Sequence, residues 1–164
     1  MDASCGPEQC HQLLGADLYP GHVAPERDPG PARPSQGSDE FELRIPARAE
    51  ELRNVRHALA AWLAGQDAPP DVAADLALAA HEAAANVVDH AYRNGAGDVI
   101  VRARRDDDEL LVVVQDEGHW RSPSRTDQRG RGLTVMRSLV DELAIAPSPS
   151  GTTVVLRRRL MHTA

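Results

Sequence analysis

The sequence predicts an α+β fold, a two-layer sandwich in which a mixed, mostly antiparallel sheet is covered on one face by helices. Segments with strand-like alternation and segments with helical spacing follow one another in the order β-α-α-β-β-α-β-β. Short polar turns separate two pairs of these strands, as in β-hairpins. Hairpin-linked strands with helices segregated to one face are typical of this fold class.

The first three predicted elements are one strand and two helices. Phe41, Leu43 and Ile45 alternate with charged residues and predict a strand that ends at Pro46. Two runs of apolar residues at helical spacing follow, and Gly65 marks the stop between them. The first run consists of Leu52, Val55, Leu59, Trp62 and Leu63, and the second, which opens at Pro69-Pro70-Asp71 and ends near Tyr92, consists of Val72, Leu76, Ala79, Ala83 and Val87.

The second half of the chain predicts two hairpins with one short helix between them. The first hairpin turns at the acidic residues 106–109, and the second turns at the Pro- and Ser-rich residues 147–151. The four strand segments are residues 99–105, 110–115, 143–146 and 152–156. The apolar positions that predict the helix are Leu133, Met136, Leu139 and Val140.

Residues 1–39 are expected to form a disordered tail, and residues 40–160 the folded domain. The tail holds half of the chain's 12 Pro, and no helical or strand period is evident in it. Cys5 and Cys10 both lie in the tail, so a disulfide within the domain is not available. Their spacing from the nearby histidines fits no compact zinc pattern.

Composition excludes several classes of chemistry. Lys and Arg together number 18 in 164 residues, and every one of them is Arg. A chain without Lys can form neither a P-loop nor a Schiff base. The formal net charge of −7 argues against nonspecific binding to nucleic acid or to an anionic membrane. No apolar run approaches the roughly 20 residues of a membrane span, and no signal-peptide pattern is present, which predicts a cytoplasmic protein.

Glu82, Asn86 and His90 follow one another at intervals of four residues on the second predicted helix. This spacing places them along one face, beside the apolar stripe. A carboxylate and a carboxamide in a partly buried position need polar partners. Taken alone, the three residues fit a functional site and an exposed polar face equally well.

A second motif, Asp116-Glu117-Gly118, follows an apolar predicted strand. An acid at the end of a strand, close to a residue that permits near approach of the backbone, suits the amino edge of a ligand. An ordinary turn has the same pattern, and taken alone the motif is better explained as a turn.

Two further motifs contain glycine. Gly130-Arg131-Gly132 precedes a predicted helix, where glycines leave backbone N–H groups open to a phosphate and the helix dipole adds attraction. Gly151-Thr152 opens the last predicted strand, and Thr in such a position usually reflects β-propensity. Neither motif is specific by itself.

In this order and context the four motifs resemble the GHKL ATPase superfamily, and within it the small anti-sigma-factor serine/threonine kinases of bacteria. The resemblance covers residues 41–158 and implies a Bergerat-type ATP-binding fold. The segments that carry it are Glu82-x-x-x-Asn86 (the N box), Asp116-x-Gly118 (the first glycine box), Gly130-x-Gly132-Leu133 (the second) and Gly151-Thr152 (the last).

The resemblance implies ATP and Mg²⁺ as ligands and suggests a role for each site residue. Glu82 would be the general base that takes the proton from a protein Ser or Thr hydroxyl. Asn86 would supply an oxygen to Mg²⁺, and Asp116, supported by Thr152, would accept a hydrogen bond from the adenine amino group. The other residues that the resemblance implies around the nucleotide are His90, Gly118, Arg129, Gly130, Arg131, Gly132 and Leu133.

One position departs from the family pattern. The first glycine box usually has a second Gly two residues after Gly118, whereas this chain has Trp120 there. The segment 118–123 resembles a variant that is associated with actinobacterial members. Trp120 either stacks on the nucleotide or closes a hydrophobic contact in the lid, and simple packing explains it equally well.

The resemblance also implies partners. The expected function is phosphorylation of a STAS-type anti-sigma-factor antagonist, with control of the availability of a sigma factor, and the family often forms homodimers. Arg56 matches the place on the first helix where family members contact the substrate protein, although a solvated helix charge explains it too. The alternative function is a non-catalytic regulator that binds ATP through Asp116 and Asn86 and makes no use of Glu82.

Overall fold

A computed structural model describes residues 39–90, 97–118 and 131–160 of the chain. Its strands are β1 (Glu40–Pro46), β2 (Asp98–Asp106), β3 (Glu109–Asp116), β4 (Glu142–Ser148) and β5 (Gly151–Arg159). Its helices are α1 (Leu52–Ala64), α2 (Pro70–His90) and α3 (Arg131–Leu139), and a single 3₁₀ turn (Ala49–Glu51) precedes α1.

The five strands form one sheet in the order β1-β2-β3-β5-β4, and each neighbouring pair is antiparallel. Helices α1, α2 and α3 provide the second layer. The predicted fold class, an α+β two-layer sandwich, is confirmed. The one refinement is that the described sheet contains no parallel pair.

The α1–α2 hairpin explains why β1 and β2 are antiparallel. Gly65 donates its N–H to the Trp62 carbonyl and ends α1, as predicted. Residues 65–69 then turn the chain back into α2, so the chain returns to the end of the sheet where β1 finished. Asp98, the first residue of β2, accordingly pairs with Pro46, the last residue of β1.

The main hydrophobic core lies between the sheet and the helices. Helix α2 packs on β3 and β5, and it contacts both α1 and α3. Alternate residues of β3 are fully buried in this core, namely Leu110, Val112 and Val114. The predicted stripe of α2 is buried there as well, with Val72, Leu76, Ala79, Ala83 and Val87 each at most 6% exposed.

The last hairpin is longer than the sequence predicts. Strand β4 continues through Pro147 to Ser148, which pairs with Gly151, so the predicted turn at residues 147–151 is wrong at both ends. Pro147 is tolerated because β4 is an edge strand, where a missing N–H leaves no ladder bond unmade.

Arg158 links α2 to the α3–β4 connection. Its Nη2 lies 3.4 Å from Asp75 Oδ2, and its Nη1 lies 3.3 Å from Asp141 Oδ1. Asp141 also accepts the backbone N–H of Arg159 at 2.7 Å. These contacts fix the connection at the C-terminal end of α3 against α2. None of the helices in the described ranges is long and apolar enough to cross a membrane.

Two leucines on α2 differ in burial, so their substitution by Ala should differ in its effect on stability. Leu76 is fully buried, whereas Leu78 is 36% exposed. We expect Leu76→Ala to lower the free energy of unfolding by about 3 kcal/mol, because it leaves a cavity in the core. Leu78→Ala should lower it by less than about 1 kcal/mol. Urea denaturation followed by circular dichroism measures both, and equal losses would contradict the described packing.

Candidate functional site

Asp116, the last residue of β3, is a buried carboxyl group at the end of the sheet. It is 6% exposed, and its Oδ1 accepts the backbone N–H of Gly118 at 2.8 Å. Burial raises the pKa of the Asp116 carboxyl above its ordinary value of 3.8, and hydrogen bonds from the backbone N–H groups of Gly118 and Thr152 and from the Thr152 side chain offset part of that rise. The predicted Asp-x-Gly motif therefore forms a compact turn with its carboxyl group held inside.

Thr152 lies beside Asp116 because the two residues pair directly between β3 and β5. Thr152 is 3% exposed. Its Oγ1 is buried and lies outside normal hydrogen-bond geometry, but its interaction with the Asp116 carboxyl group still lowers the pKa of that carboxyl group. A buried hydroxyl whose one interaction is poorly aligned is weakly satisfied, so this end of the sheet fits a ligand that brings further hydrogen-bonding groups to it.

Gly151 permits the close approach of β5 to the end of β3. Its φ is +141°, and a Cβ atom at this position would lie 1.8 Å from the carbonyl oxygen of Asp116. No side chain fits there, because the obstacle is backbone and cannot rotate away. Sequence analysis assigned Gly151 to a turn motif and missed this contact. The signal that could have found it was the register that pairs Asp116 with Thr152.

Glu82 and Asn86 meet the N-terminal turn of α3. A Cβ atom on Gly132 would lie 3.3 Å from Glu82 Oε2, 3.6 Å from Asn86 Oδ1 and 3.7 Å from Asn86 Nδ2. Both side chains are half-buried, and neither makes a hydrogen bond with another described residue. The lack of a side chain at Gly132 thus leaves a carboxylate and a carboxamide next to the start of a helix.

The two groups of residues lie along one path of the chain. Helix α2 carries Glu82 and Asn86 in its C-terminal half and leads through residues 91–97 into β2. The second residue of β2, Val99, pairs with Asp116. The candidate site consists of two parts, the buried carboxyl group at the end of β3 and the carboxylate and carboxamide beside the start of α3.

The remaining predicted site residues differ in placement. Gly118 is buried beside Asp116, Leu133 is half-buried and packs against the core, and Arg56 is exposed on α1. Two predicted residues, His90 and Arg131, lie at helix ends, and their side chains are outside the described part of the structure. Three others lie wholly outside it: Trp120, Arg129 and Gly130.

The metal-binding capacity of the described residues is limited. Within residues 39–90, 97–118 and 131–160, no three His, Cys, Asp or Glu side chains come together as a metal site. A cation at Asn86 would therefore need most of its ligands from water and from a bound substrate. Mg²⁺ suits such a site, since it keeps several waters and takes phosphate oxygens readily.

Comparison with known proteins identifies the family. Residues 45–158 match the histidine kinase-like ATPase domain. The serine-protein kinase RsbW of Bacillus velezensis is 33% identical over 143 residues, which cover 77% of this chain and 89% of that protein. The anti-sigma F factor of Caldanaerobacter subterraneus is 29% identical over 127 residues, which cover 70% of this chain and 89% of that protein.

Solved structures agree with this relationship. The RsbU and RsbW domains of a Mycobacterium tuberculosis protein match with a TM-score of 0.59 and 31% identity, and the match covers 75% of this chain and 33% of that longer chain. A histidine kinase domain from Erythrobacter litoralis shares the fold, with a TM-score of 0.51, 24% identity and coverage of 71% of this chain and 62% of that one. The chain belongs to the histidine kinase-like ATPase domain family and, within it, to the family of RsbW-type serine kinases and anti-sigma factors.

Because β5 comes so close to the backbone of Asp116 at Gly151, even a methyl side chain at this position should strongly destabilise the fold. We expect Gly151→Ala to lower the free energy of unfolding by about 3 kcal/mol or more, because it strains the backbone and forces β5 away from Asp116. Gly65→Ala is the matched control, since its φ of −78° is ordinary and its Cβ would meet the Trp62 carbonyl oxygen at 3.3 Å. Chemical denaturation compares the two, and a mild Gly151→Ala effect would contradict the described register.

The raised pKa of Asp116 predicts how stability depends on pH. The unfolded carboxyl group ionises near 3.8 and the folded one at a higher pH, so between these values the wild type loses stability as pH rises. Asp116→Asn keeps an oxygen for the Gly118 N–H and removes the buried charge. As pH increases across that window, the free energy of unfolding of Asp116→Asn minus that of the wild type should increase, and above the window this difference should stay constant. Urea titrations from pH 4 to 8 test this, and the opposite trend would contradict the burial of a charge.

Proposed function

We propose that this chain is an ATP-dependent serine/threonine protein kinase that binds Mg-ATP along the site described above. The observation that carries the proposal is the approach of Gly132 to Glu82 and Asn86, at 3.3 Å and 3.6 Å from its Cβ position. This approach joins a candidate base, a candidate metal ligand and a helix N-terminus. The family is an ATPase domain family, so ATP is the nucleotide that it implies.

Asp116 and Thr152 are assigned to the adenine end of the nucleotide. The adenine amino group is a donor, and the buried carboxylate of Asp116 is an acceptor. Thr152 Oγ1 is buried beside this carboxyl group, so it can support the same edge directly or through a water. Hydrogen bonds in a buried pocket of this kind discriminate strongly against ligands that lack the matching group.

The phosphates are assigned to the start of α3. Gly132 leaves the backbone open there, and the first N–H groups of a helix attract anions. Asn86 would hold Mg²⁺, which supplies charge neutralisation to the phosphates when bound. The family resemblance adds Gly130, Arg129 and Arg131 to this end, together with His90. Because the chain has no Lys, the side-chain cations available here are arginines.

Glu82 is assigned the role of general base. In the proposed step the acceptor hydroxyl oxygen forms a bond to the γ-phosphorus while the bond from that phosphorus to the bridging oxygen breaks. ADP leaves with the electron pair of the broken bond, and the hydroxyl proton passes to the Glu82 carboxylate. The half-buried carboxylate makes no hydrogen bond with a described residue, so it is free to accept this proton. A positioned base typically contributes about 10²–10⁴-fold to the rate.

The proposed acceptor is a STAS-type anti-sigma-factor antagonist, and the proposed regulatory target is a sigma factor. The names of two relatives, serine-protein kinase RsbW and anti-sigma F factor, support both parts. Arg56 is exposed on α1 and makes no ion pair with a described residue, so it is available for an acidic group of the partner. Cytoplasmic location and homodimer formation belong to the same proposal.

Glu82→Gln separates catalysis from nucleotide binding. We expect phosphotransfer from labelled ATP to fall by about 10²–10⁴-fold, while Mg-ATP at about 100 times its Kd still raises stability by about 2.7 kcal/mol. Asp116→Asn is the matched control, because it should lose the Mg-ATP stabilisation and remain folded. Undiminished transfer in Glu82→Gln would exclude Glu82 as the base. Wild-type binding without any transfer would favour the non-catalytic regulator.

A further inference from the structure

A chain of side-chain hydrogen bonds crosses the outer face of the sheet, which is the face turned away from the helices. Arg102 on β2 is at its centre, because its Nε donates to Glu42 Oε2 at 2.8 Å and its Nη1 donates to Gln115 Oε1 at 2.6 Å. Gln115 Nε2 in turn donates to Thr153 Oγ1 at 3.2 Å. These contacts connect four neighbouring strands, β1, β2, β3 and β5.

Gln115 is the buried member of this chain of hydrogen bonds. Its neighbours in β3 that alternate with it, such as Val112 and Val114, face the core, so Gln115 points to the outer face. It is nevertheless only 9% exposed. Both halves of its carboxamide are used, since the oxygen accepts from a guanidinium group and the nitrogen donates to a hydroxyl group. Hydrogen bonds that water hardly reaches are stronger than exposed ones, so Gln115 is well placed to hold β5 against β3.

The contact between Gln115 and Thr153 lies directly beside the buried carboxyl group of the candidate site. Gln115 pairs with Thr153 between β3 and β5, and the next rung of the same ladder pairs Asp116 with Thr152. Strand β5 begins at Gly151, only one residue before Thr152. Among the described residues, the side-chain hydrogen bond that fastens this end of β5 to β3 on the outer face is therefore the one at Thr153.

The contacts of Thr152 are sensitive to where β5 lies. The backbone N–H and the hydroxyl group of Thr152 both interact with the Asp116 carboxyl group, and the hydroxyl contact is already outside normal hydrogen-bond geometry. Hydrogen bonds weaken steeply as their angle worsens. A small shift of β5 along or away from β3 would therefore change what this pair of residues can offer to a ligand.

We propose that Gln115 is a positioning residue for the nucleotide base. It holds β5 against β3 one rung before the pair of Asp116 and Thr152, and Arg102 fixes the orientation of its carboxamide. This inference rests on the proposed function, which assigns Asp116 and Thr152 to the adenine amino group. Gln115 touches no part of the nucleotide in this scheme, because its side chain is on the other face of the sheet and acts through Thr153.

The experiment compares two nucleotides on the full chain. Isothermal titration calorimetry measures the Kd of Mg-ATP and of Mg-purine riboside triphosphate, which carries hydrogen in place of the adenine amino group. The ratio of the two Kd values reports the amino-group contact, whereas a general loss of stability weakens both nucleotides alike. Gln115→Leu removes both hydrogen bonds of the carboxamide. Thr153→Val removes only the contact with Gln115 and keeps the β-branched shape.

Arg157→Leu is the matched control. Arg157 is on the outer face of β5 as well, and its Nη1 lies 3.4 Å from Glu109 Oε2 on β3, so it also links these two strands through side chains. It lies four residues beyond Thr153, which is about 13 Å along the strand, at the end of the ladder away from Asp116. Arg157→Leu should therefore lower the free energy of unfolding and leave the ratio of the two Kd values unchanged.

We expect the preference for ATP over the analogue to fall by about fivefold in Gln115→Leu, because Asp116 and Thr152 meet the amino group less well. Thr153→Val should cause a similar fall, and it decides the question alone if Gln115→Leu does not fold. The double variant should show no larger fall than either single one, since both act through the same contact.

Two kinds of result would overturn the positioning role. An unchanged preference in Gln115→Leu and Thr153→Val, or an equal fall in Arg157→Leu, would exclude it while leaving the kinase proposal intact. A wild type that does not bind Mg-ATP would overturn the proposed function first, and the positioning role with it. A wild type that binds both nucleotides equally would contradict the assignment of Asp116 to the adenine amino group, on which the positioning role depends.

Discussion

The approach of β5 to the end of β3 is the contact on which the candidate site depends. Gly151 can occupy its position only without a side chain, and this lets Thr152 pair with Asp116 at the last rung of the ladder. That rung buries a carboxyl group and a hydroxyl group together. Burial of the carboxyl group costs free energy, which is seen in the raised pKa of Asp116, and the Thr152 hydroxyl offsets only part of that rise. Under the proposed function, this cost in stability leaves two buried polar groups available to the nucleotide.

A second glycine contact brings the start of α3 next to Glu82 and Asn86 on α2. Helix α3 has only nine residues, and it is held against α2 near both ends. Gly132 meets Glu82 and Asn86 at one end, and the Arg158 contacts hold the Asp141 connection at the other. A helix held in this way can present its first N–H groups at a fixed place. The two glycines allow two different close contacts: Gly132 lies against the side chains of Glu82 and Asn86, and Gly151 lies against the backbone of Asp116 and Glu117.

The sequence predicted the fold more completely than it predicted the site. Strict alternation in β1 and the stripe of α2 sufficed for the elements, and Gly65 correctly marked the end of α1. The end of β4 could not be predicted, because Pro147 is acceptable only in an edge strand and strand order is a long-range property. The close contacts of Gly132 and Gly151 could not be predicted either, for the same reason. Local patterns suggested the two glycine motifs, whereas their distances to Glu82 and Asp116 depend on how helices and strands pack.

The charge of the site limits how an anionic nucleotide can bind. Two acidic side chains, Glu82 and Asp116, are among the site's described groups, and the chain carries a net charge of −7 without any Lys. Triphosphate held near Glu82 would be repelled unless other groups neutralise it. Backbone N–H groups supply only partial charge, about half a unit at a helix N-terminus. Under the proposed function the remainder comes from Mg²⁺ at Asn86 and from arginines, so removal of Mg²⁺ should weaken nucleotide binding by this chain.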